Sequence, residues 1–531
     1  MAAQSLLSQR HGERDDITAE STEQTPLISQ PSSASRLHAN RTVTASSTAS
    51  LGDALPNGRS PRTAFAILCF MIFLVCAQGG FYNMSLTRIF EDILCRQYYD
   101  QIHSKDEPID ETMCKHPAIQ SKLAYLFAIL ESFNAALGIT AALPWGIMAD
   151  KIGRRPVFVM GLTGMSISIL WIMVVGWFPQ TFSPRLIWLS PIFYLLGGGN
   201  PVLSATVHSI TIDMMPESER ASCFMRIHGA SMVGNLLSPA LASIMMASTG
   251  PWPTIFLSFL LTGLPGPLIF LVPETLKQRH VDDSDEPDSG TLKSHLTQSL
   301  HELKKSATMF RFPSMIIILL ITMLQVTLVI CTLQFLSQFA SKRYNIPIAD
   351  TGYIQSAYGI SFIAVSFIIL PYVSSALLKP SAPAFLRFDD DKQRDLFLAR
   401  SSYVASMVGT FILGLSGSVP GFVFGLIILA FGVSGEGFLK SIATLYVTAE
   451  QRSRLFTILA LAAMSSNLWA SPALAALFSA GMRLDGIWIG LPYFGVFGLC
   501  ILMFASSLFI KAPPSPGVDE ESDSGHEPFP E

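Results

Sequence analysis

The residues that could do chemistry are the few ionisable and amide side chains that interrupt long apolar stretches. Glu131 lies with Asn134 in one such stretch, and Glu436 and Lys440 lie four residues apart, on one helix face, in another. An ionisable group at bilayer depth costs about 2.5 kcal/mol or more, and it usually faces a protein interior. These side chains are therefore candidates to bind a solute or a proton.

The same criterion adds further polar side chains to the candidate set: Gln78, Asn200, His208, Asn235, Gln334, Gln355 and Asn467. Each has a plainer alternative. His208 could be a packed neutral imidazole, Glu436 and Lys440 could form a neutralising ion pair, and the asparagines could tie helices together. The sequence contains no nucleotide-binding loop, metal-ligand cluster or nucleophile with a plausible base, so we predict no catalytic residue, no metal, no cofactor and no enzyme.

The elements that position these side chains are membrane helices. Of the 531 residues, 50% are hydrophobic and 14% are charged, whereas soluble domains carry about 25% charged residues. Apolar stretches long enough to cross a bilayer, about 20 residues, recur from Thr63 to Ile510. The formal net charge is only -4 and the basic residues follow the loops, so we predict no nucleic-acid partner.

The apolar stretches predict twelve spans, the first over 63–83 and the tenth over 420–447. Lysines and arginines concentrate in loops that an even number of spans places on one side, so this side and both termini are predicted to be cytosolic. The predicted divisions are a disordered tail, a six-helix bundle, a central loop with a short amphipathic helix, a second six-helix bundle and an acidic tail: 1–62, 63–275, 276–312, 313–510 and 511–531.

An internal repeat relates the two bundles. The sequence Ser-Pro-Ala-Leu-Ala at 238–242 in the fifth span recurs at 471–475 in the eleventh, in each case after an Asn-Leu pair. Two homologous six-helix halves are typical of transporters whose solute site lies between the halves, near the middle of the membrane. The repeat therefore predicts such a site here.

The loop between the second and third spans carries the most specific motif. It reads Gly146-Ile-Met-Ala-Asp150-Lys-Ile-Gly153-Arg154-Arg155, and it resembles the signature G-x-x-x-D-x-x-G-R-[RK] of the major facilitator superfamily at every defining position. Gly146 would allow close approach of a neighbouring helix, and Gly153 would allow a tight turn. By resemblance, Asp150 contacts the start of the eleventh span and latches the cytosolic side closed.

A second motif follows the fourth span. The stretch from Asp213 to Arg220 resembles the family's D-x-x-P-x-x-x-R element, and by resemblance Arg154 pairs with an acid there. Two departures weaken an antiporter assignment: Ser238 and Ala242 replace glycines of the antiporter signature, and Tyr194 stands where the family's drug antiporters carry an arginine.

The resemblance implies an all-α membrane protein with twelve transmembrane helices in two pseudo-symmetric six-helix bundles. The chain resembles fungal members of the superfamily, some of which are efflux pumps for secondary metabolites. We expect a monomer that exports a metabolite or drug with the proton as coupling ion, at the plasma membrane or alternatively the vacuolar membrane. A proton-coupled nutrient porter and a non-transporting sensor are the alternatives.

Two cysteines stand apart from the other five, which lie in apolar stretches. Cys95 and Cys114 fall in the predicted loop after the first span, on the non-cytosolic and oxidising side. A disulfide there would contribute about 3 kcal/mol on the chain-entropy model. The alternative is two free thiols.

Overall fold

The chain folds into a bundle of membrane helices. The computed structural model describes residues 61–100, 110–274, 313–333, 335–377, 391–447 and 452–510. Within these ranges twelve helices are long and apolar enough to cross a membrane, which confirms the predicted architecture. The predicted central loop and C-terminal tail lie outside the described residues, as does the N-terminal tail up to residue 60.

The first half supplies six of the spans. A 3-10 segment, Pro184–Leu196, leads into α4, and another, Ile269–Leu271, follows α7. The helices of this half are α1 (Pro61–Tyr99), α2 (Pro117–Ile152), α3 (Arg154–Trp177), α4 (Gly199–Met214), α5 (Glu217–Thr249), α6 (Pro251–Gly263) and α7 (Pro265–Leu268).

The second half supplies the other six spans. A π-helix, Val365–Ile369, joins α10 to α11, and a 3-10 segment, Gly486–Gly490, precedes α16. The helices of this half are α8 (Pro313–Leu333), α9 (Leu336–Tyr344), α10 (Ile348–Ala364), α11 (Leu370–Ala376), α12 (Asp391–Leu415), α13 (Val419–Val433), α14 (Glu436–Thr444), α15 (Arg452–Leu484) and α16 (Leu491–Leu508).

Small residues let α5 pack closely on both halves. A Cβ atom on Gly80 of α1 would overlap Ser238 of α5, and one on Gly352 of α10 would overlap Ser243 and the Pro239 carbonyl oxygen. Without a hydrophobic driving force between helices in lipid, such close approach is a main source of helix association. Helix α5 therefore serves as one of the seams between the halves.

The first span is longer than predicted. Helix α1 runs to Tyr99 rather than ending near residue 83, because Ile89, Phe90 and Ile93 continue its apolar face and are buried in the core of the first half. Cys95 consequently lies in a helix and not in the loop to which the sequence assigned it.

The predicted tenth span contains a break. Helix α13 ends at Val433 and α14 begins at Glu436. Gly435 occupies the break, and a Cβ atom there would overlap Ser402 of α12. Glu436 is therefore the first residue of a new helix rather than a residue in the middle of a continuous one.

Candidate functional site

The helices bring the candidate residues to three places: a cavity between the halves and the two ends of the bundle. We call the end at which α1 ends and α2 begins the loop-1 face, and the end at which α2 ends and α3 begins the loop-2 face. The predicted gating residues lie at the loop-2 face, and the two cysteines of the first loop lie at the loop-1 face.

The tight turn at the loop-2 face depends on Gly153. This buried residue separates α2 from α3 with φ of 105°, in the region that favours glycine. A Cβ atom at this position would also lie 3.1 Å from Oε2 of Glu274. Both the backbone conformation and the neighbouring carboxylate therefore favour glycine.

Glu274 caps the start of α3. The backbone N–H groups of Arg154 and Arg155 donate to its two carboxylate oxygens, each at 3.2 Å. A negative charge at a helix N-terminus satisfies unbonded N–H groups and interacts favourably with the helix dipole. Glu274 follows the last helical segment of the first half, so the contact ties the sixth span to the third. It was not among the predicted site residues.

Arg154 also joins α3 to the end of α4. Its Nη1 atom lies 2.6 Å from Oδ2 of Asp213, and the two side chains are 15% and 27% exposed. Gly146 borders a small cavity of about 250 Å³ that Arg154 also lines. The side chains of Asp150 and Arg220 lie outside the described residues.

A disulfide closes the loop-1 end of the first half. Cys95 of α1 and Cys114 are bonded, with their Cα atoms 5.2 Å apart, and both are buried. The bond fixes the short 3-10 segment Met113–Lys115 against the end of α1. Glu111 and Gln120, which flank that segment, both bond to the second half.

A buried ionic network surrounds this disulfide. Glu91, which is fully buried, accepts hydrogen bonds from Lys115 Nζ at 2.8 Å, Gln120 Nε2 at 2.6 Å and Arg88 Nη1 at 3.0 Å. Lys115 is itself only 5% exposed and also donates to Glu111 at 3.1 Å. The positive and negative charges thus neutralise each other away from water.

The network crosses to the second half. Glu111 Oε1 accepts from the backbone N–H of Ile348, the first residue of α10, at 3.0 Å. The Nε2 atom of Gln338 in α9 donates to the backbone oxygen of Gln120 at 2.7 Å. These two bonds hold the halves together at the loop-1 face.

Five of the predicted solute residues line the cavity between the halves. Its volume is about 540 Å³, within the range of small-molecule sites. Gln78, Glu131, Asn134 and Asn200 line it from the first half, and Asn467 lines it from the second. Tyr82 and Tyr194 also line the cavity. Neither was predicted as a site residue, although Tyr194 stands where the family's drug antiporters carry an arginine.

The other predicted solute residues lie elsewhere or outside the described part. His208 is exposed, donates a hydrogen bond from Nδ1 to the Ser204 carbonyl oxygen at 2.7 Å, and lies against Phe224. Glu436 and Lys440 form an ion pair of 2.7 Å, and their side chains are 37% and 43% exposed. Gln355 is partly buried in α10, away from the lining, and Gln334 is not described. Among the residues that the structure describes, no three metal-ligating side chains cluster.

Comparisons with known proteins extend these observations. The chain is 28% identical to the MFS efflux pump atnC of Emericella nidulans over 485 residues, which cover 86% of this chain and 91% of that one. It is 28% identical to the MFS-type transporter aprT of Aspergillus flavus over 477 residues, 88% and 92% of the two chains. The structure of the nucleoside transporter NupG shares the fold, with a TM-score of 0.57, 13% identity and coverage of 84% and 99%.

The family model for the Major Facilitator Superfamily matches residues 68–471, which is most of the chain. That family consists of transporters and not enzymes, and its fold agrees with the twelve spans in two halves. The chain therefore belongs to the major facilitator superfamily of membrane transporters.

Proposed function

We propose that this protein is a secondary active transporter that exports a small organic solute from the cytosol by alternating access, coupled to the proton. The observation that carries the proposal is the cavity of about 540 Å³, which residues of both halves line. A site between two related halves becomes accessible from each side in turn when the halves rock against one another. The name of the relative atnC, an efflux pump, supports the direction.

The orientation follows from charge and from the cysteines. Lys151, Arg154 and Arg155 assign the loop-2 face to the cytosol by the positive-inside rule. The disulfide between Cys95 and Cys114 suits an oxidising, non-cytosolic loop-1 face. Both termini are then cytosolic. Export to the outside favours the plasma membrane, with the vacuolar membrane as the alternative. Residues of a single chain line the cavity from both halves, so we propose that the protein acts as a monomer.

The gate at the loop-1 face consists of the bonds from Glu111 to Ile348 and from Gln338 to Gln120. These bonds must break when the cavity opens to that side, because they join the two halves directly. Two states that differ in such contacts shift in population when a contact is removed. The family resemblance assigns the opposite gate to Asp150 and the start of α15.

Glu131 is the proposed proton carrier. It lines the cavity, whereas the competing carboxylate, Glu436, lies outside that lining and pairs with Lys440 at a position more than a third exposed. A carboxylate in the solute cavity can exchange a proton for solute contacts as the halves move. Glu436 is then a neutralised group that allows α14 to enter the membrane.

The first experiment identifies the solute by comparing metabolites retained in cells with and without the protein. A solute retained without the protein supports export, and a solute depleted without it points to uptake instead. The second experiment measures accumulation of that solute in inverted vesicles under an imposed pH gradient. Glu131→Gln should lose gradient-driven accumulation but keep exchange of labelled solute, while Glu436→Gln should behave as wild type. Full accumulation by Glu131→Gln would contradict the assignment.

A further inference from the structure

The cavity between the halves is rich in hydrogen-bond acceptors that the protein does not satisfy. Three amide side chains that line it each carry a buried oxygen without a hydrogen-bond partner: Oε1 of Gln78, Oδ1 of Asn134 and Oδ1 of Asn467. Gln78 is only 9% exposed. A buried acceptor without a donor costs about 1–3 kcal/mol, so these oxygens indicate a ligand or water that donates to them.

The three oxygens come from three helices and both halves. Gln78 belongs to α1, Asn134 to α2 and Asn467 to α15. A single solute that donates to all three would therefore contact the two halves at once. This is the placement expected of a transported solute, whose binding must change as the halves move.

The charge of the residues that line the cavity favours a positively charged solute. Glu131 supplies a carboxylate, and no lysine, arginine or histidine is among the described residues that line the cavity. His208 contacts the Ser204 carbonyl but lies outside the lining. A cation placed here can form a charge-assisted hydrogen bond with Glu131, whereas an anion would meet only partial positive charges from amide and hydroxyl groups.

Two aromatic rings add to the same preference. Tyr82 and Tyr194 line the cavity beside the acceptor groups, and an aromatic face attracts an ammonium or guanidinium group within about 6 Å. Carboxylate, amide oxygens and aromatic rings are together the groups that bind a protonated amine.

We propose that the cavity binds solutes that carry a protonated amine, with the ammonium group at Glu131 and further N–H or O–H donors at Gln78, Asn134 and Asn467. This inference rests on the proposed function, because it names the class of solute that the transporter would export. It also explains how exchange could occur, since a cationic solute and a proton would compete for the Glu131 carboxylate.

The test uses three probes of matched shape and different charge. They are 2-(2-naphthyl)ethylamine as the cation, 2-(2-naphthyl)ethanol as the neutral compound and 2-naphthylacetate as the anion. Calorimetric titration of the full-length protein in lipid nanodiscs should give an affinity for the amine at least about tenfold above that for the alcohol. The acetate should bind most weakly.

Substitutions test which side chains cause the preference for the amine. Glu131→Gln should lose at least about tenfold in amine affinity while its alcohol affinity changes little. Asn134→Asp places a second carboxylate one helical turn away and should strengthen amine binding, which provides a test even if Glu131→Gln does not fold. Asp92→Asn removes an exposed carboxylate of α1 that pairs with Arg96, and it should leave all three affinities unchanged.

Equal affinities for the amine and the alcohol in the wild type would overturn the inference. So would an amine preference that survives Glu131→Gln, or an Asn134→Asp variant with no gain in amine affinity. These outcomes differ from a failure of the proposed function. If the metabolite comparison yields an exported solute without an amine, export stands and only the solute class is wrong; if no solute depends on the protein, export itself is wrong.

Discussion

The polar contacts at the two faces of the bundle join different parts of the molecule. At the loop-1 face, Glu111 bonds to Ile348 and Gln338 bonds to Gln120, so the contacts join the two halves. At the loop-2 face, the described contacts of Arg154 with Asp213 and of Glu274 with the start of α3 stay within the first half. The contacts at the loop-1 face therefore depend on how the two halves are placed relative to each other. The contacts at the loop-2 face stabilise the first half by itself.

Burial separates the two faces as well. Glu91 and Lys115 are 0% and 5% exposed, whereas Arg154 and Asp213 are 15% and 27% exposed. A buried ion pair costs more to break than a hydrated one, because the remaining charge stays away from water. The loop-1 face should therefore respond more strongly to substitution.

The largest effect is expected from Glu91→Gln. The change leaves Lys115 and Arg88 without their shared buried carboxylate, and it should lower the free energy of unfolding by about 4 kcal/mol. Chemical denaturation in detergent micelles measures this value. Asp92→Asn is the control, since its pair with Arg96 is exposed and is worth less than about 1 kcal/mol. Equal losses of unfolding free energy in the two variants would show that burial does not determine how much an ion pair stabilises this protein.

Removing the disulfide should have the next largest effect. The bond joins residues 19 apart in sequence, and replacing Cys95 and Cys114 by serine should cost about 3 kcal/mol on the chain-entropy model. A reducing agent should produce the same loss of thermal stability in the wild type and none in the double variant. A double variant as stable as the wild type would show that the loop is held without the bond.

The frame at the loop-2 face can be tested by a double-mutant cycle. The variants Arg154→Gln and Asp213→Asn should show a coupling energy of about 1 kcal/mol, because the pair is partly hydrated. Thermal unfolding of the two single variants and the double variant provides the measurement. A coupling energy of zero would mean that the 2.6 Å contact does not stabilise this face.

Glu274→Gln should have the smallest effect. Glutamine keeps one acceptor oxygen for the N–H groups of Arg154 and Arg155 but removes the second oxygen and the charge, so the cost should be about 0.5 kcal/mol. Glu274→Ala removes both and should cost about 1 kcal/mol. Identical stability of the two variants would assign the whole effect to the charge, and a separate contribution from hydrogen bonding would be excluded.

The sequence predicted the features that depend on residues close to one another along the chain. Apolar stretches of bilayer length predicted the twelve spans, and the spacing of Gly153 and Arg154 predicted the turn between α2 and α3. Glu131 and Asn134 lie three residues apart on α2, and the structure places both at the cavity. Helical periodicity carries this information without any knowledge of distant contacts.

Contacts between distant segments could not be predicted in this way. Glu274 caps a helix that begins 120 residues earlier, and Glu91, in the unexpectedly long α1, pairs with Lys115, which is 24 residues further along the chain. The break before Glu436 follows from packing of Gly435 against α12, which no local pattern reveals. Glu436 consequently begins a new helix, α14, whereas Glu131 lies inside the continuous helix α2.

In the proposed mechanism, contacts at the loop-1 face keep that side closed, and the two faces open in alternation. Pulsed electron paramagnetic resonance tests it with labels on encoded ketone residues, which leave the cysteines intact. One pair replaces Gln97 and Leu484 at the loop-1 face, and the other replaces Ile152 and Leu445 at the loop-2 face, all exposed positions. In Glu111→Ala, which removes the acceptor for the Ile348 N–H group, we predict a new population with a longer distance between 97 and 484 and, in the same proportion, a shorter distance between 152 and 445. Distances that lengthen at both faces, or that stay as in the wild type, would contradict the account.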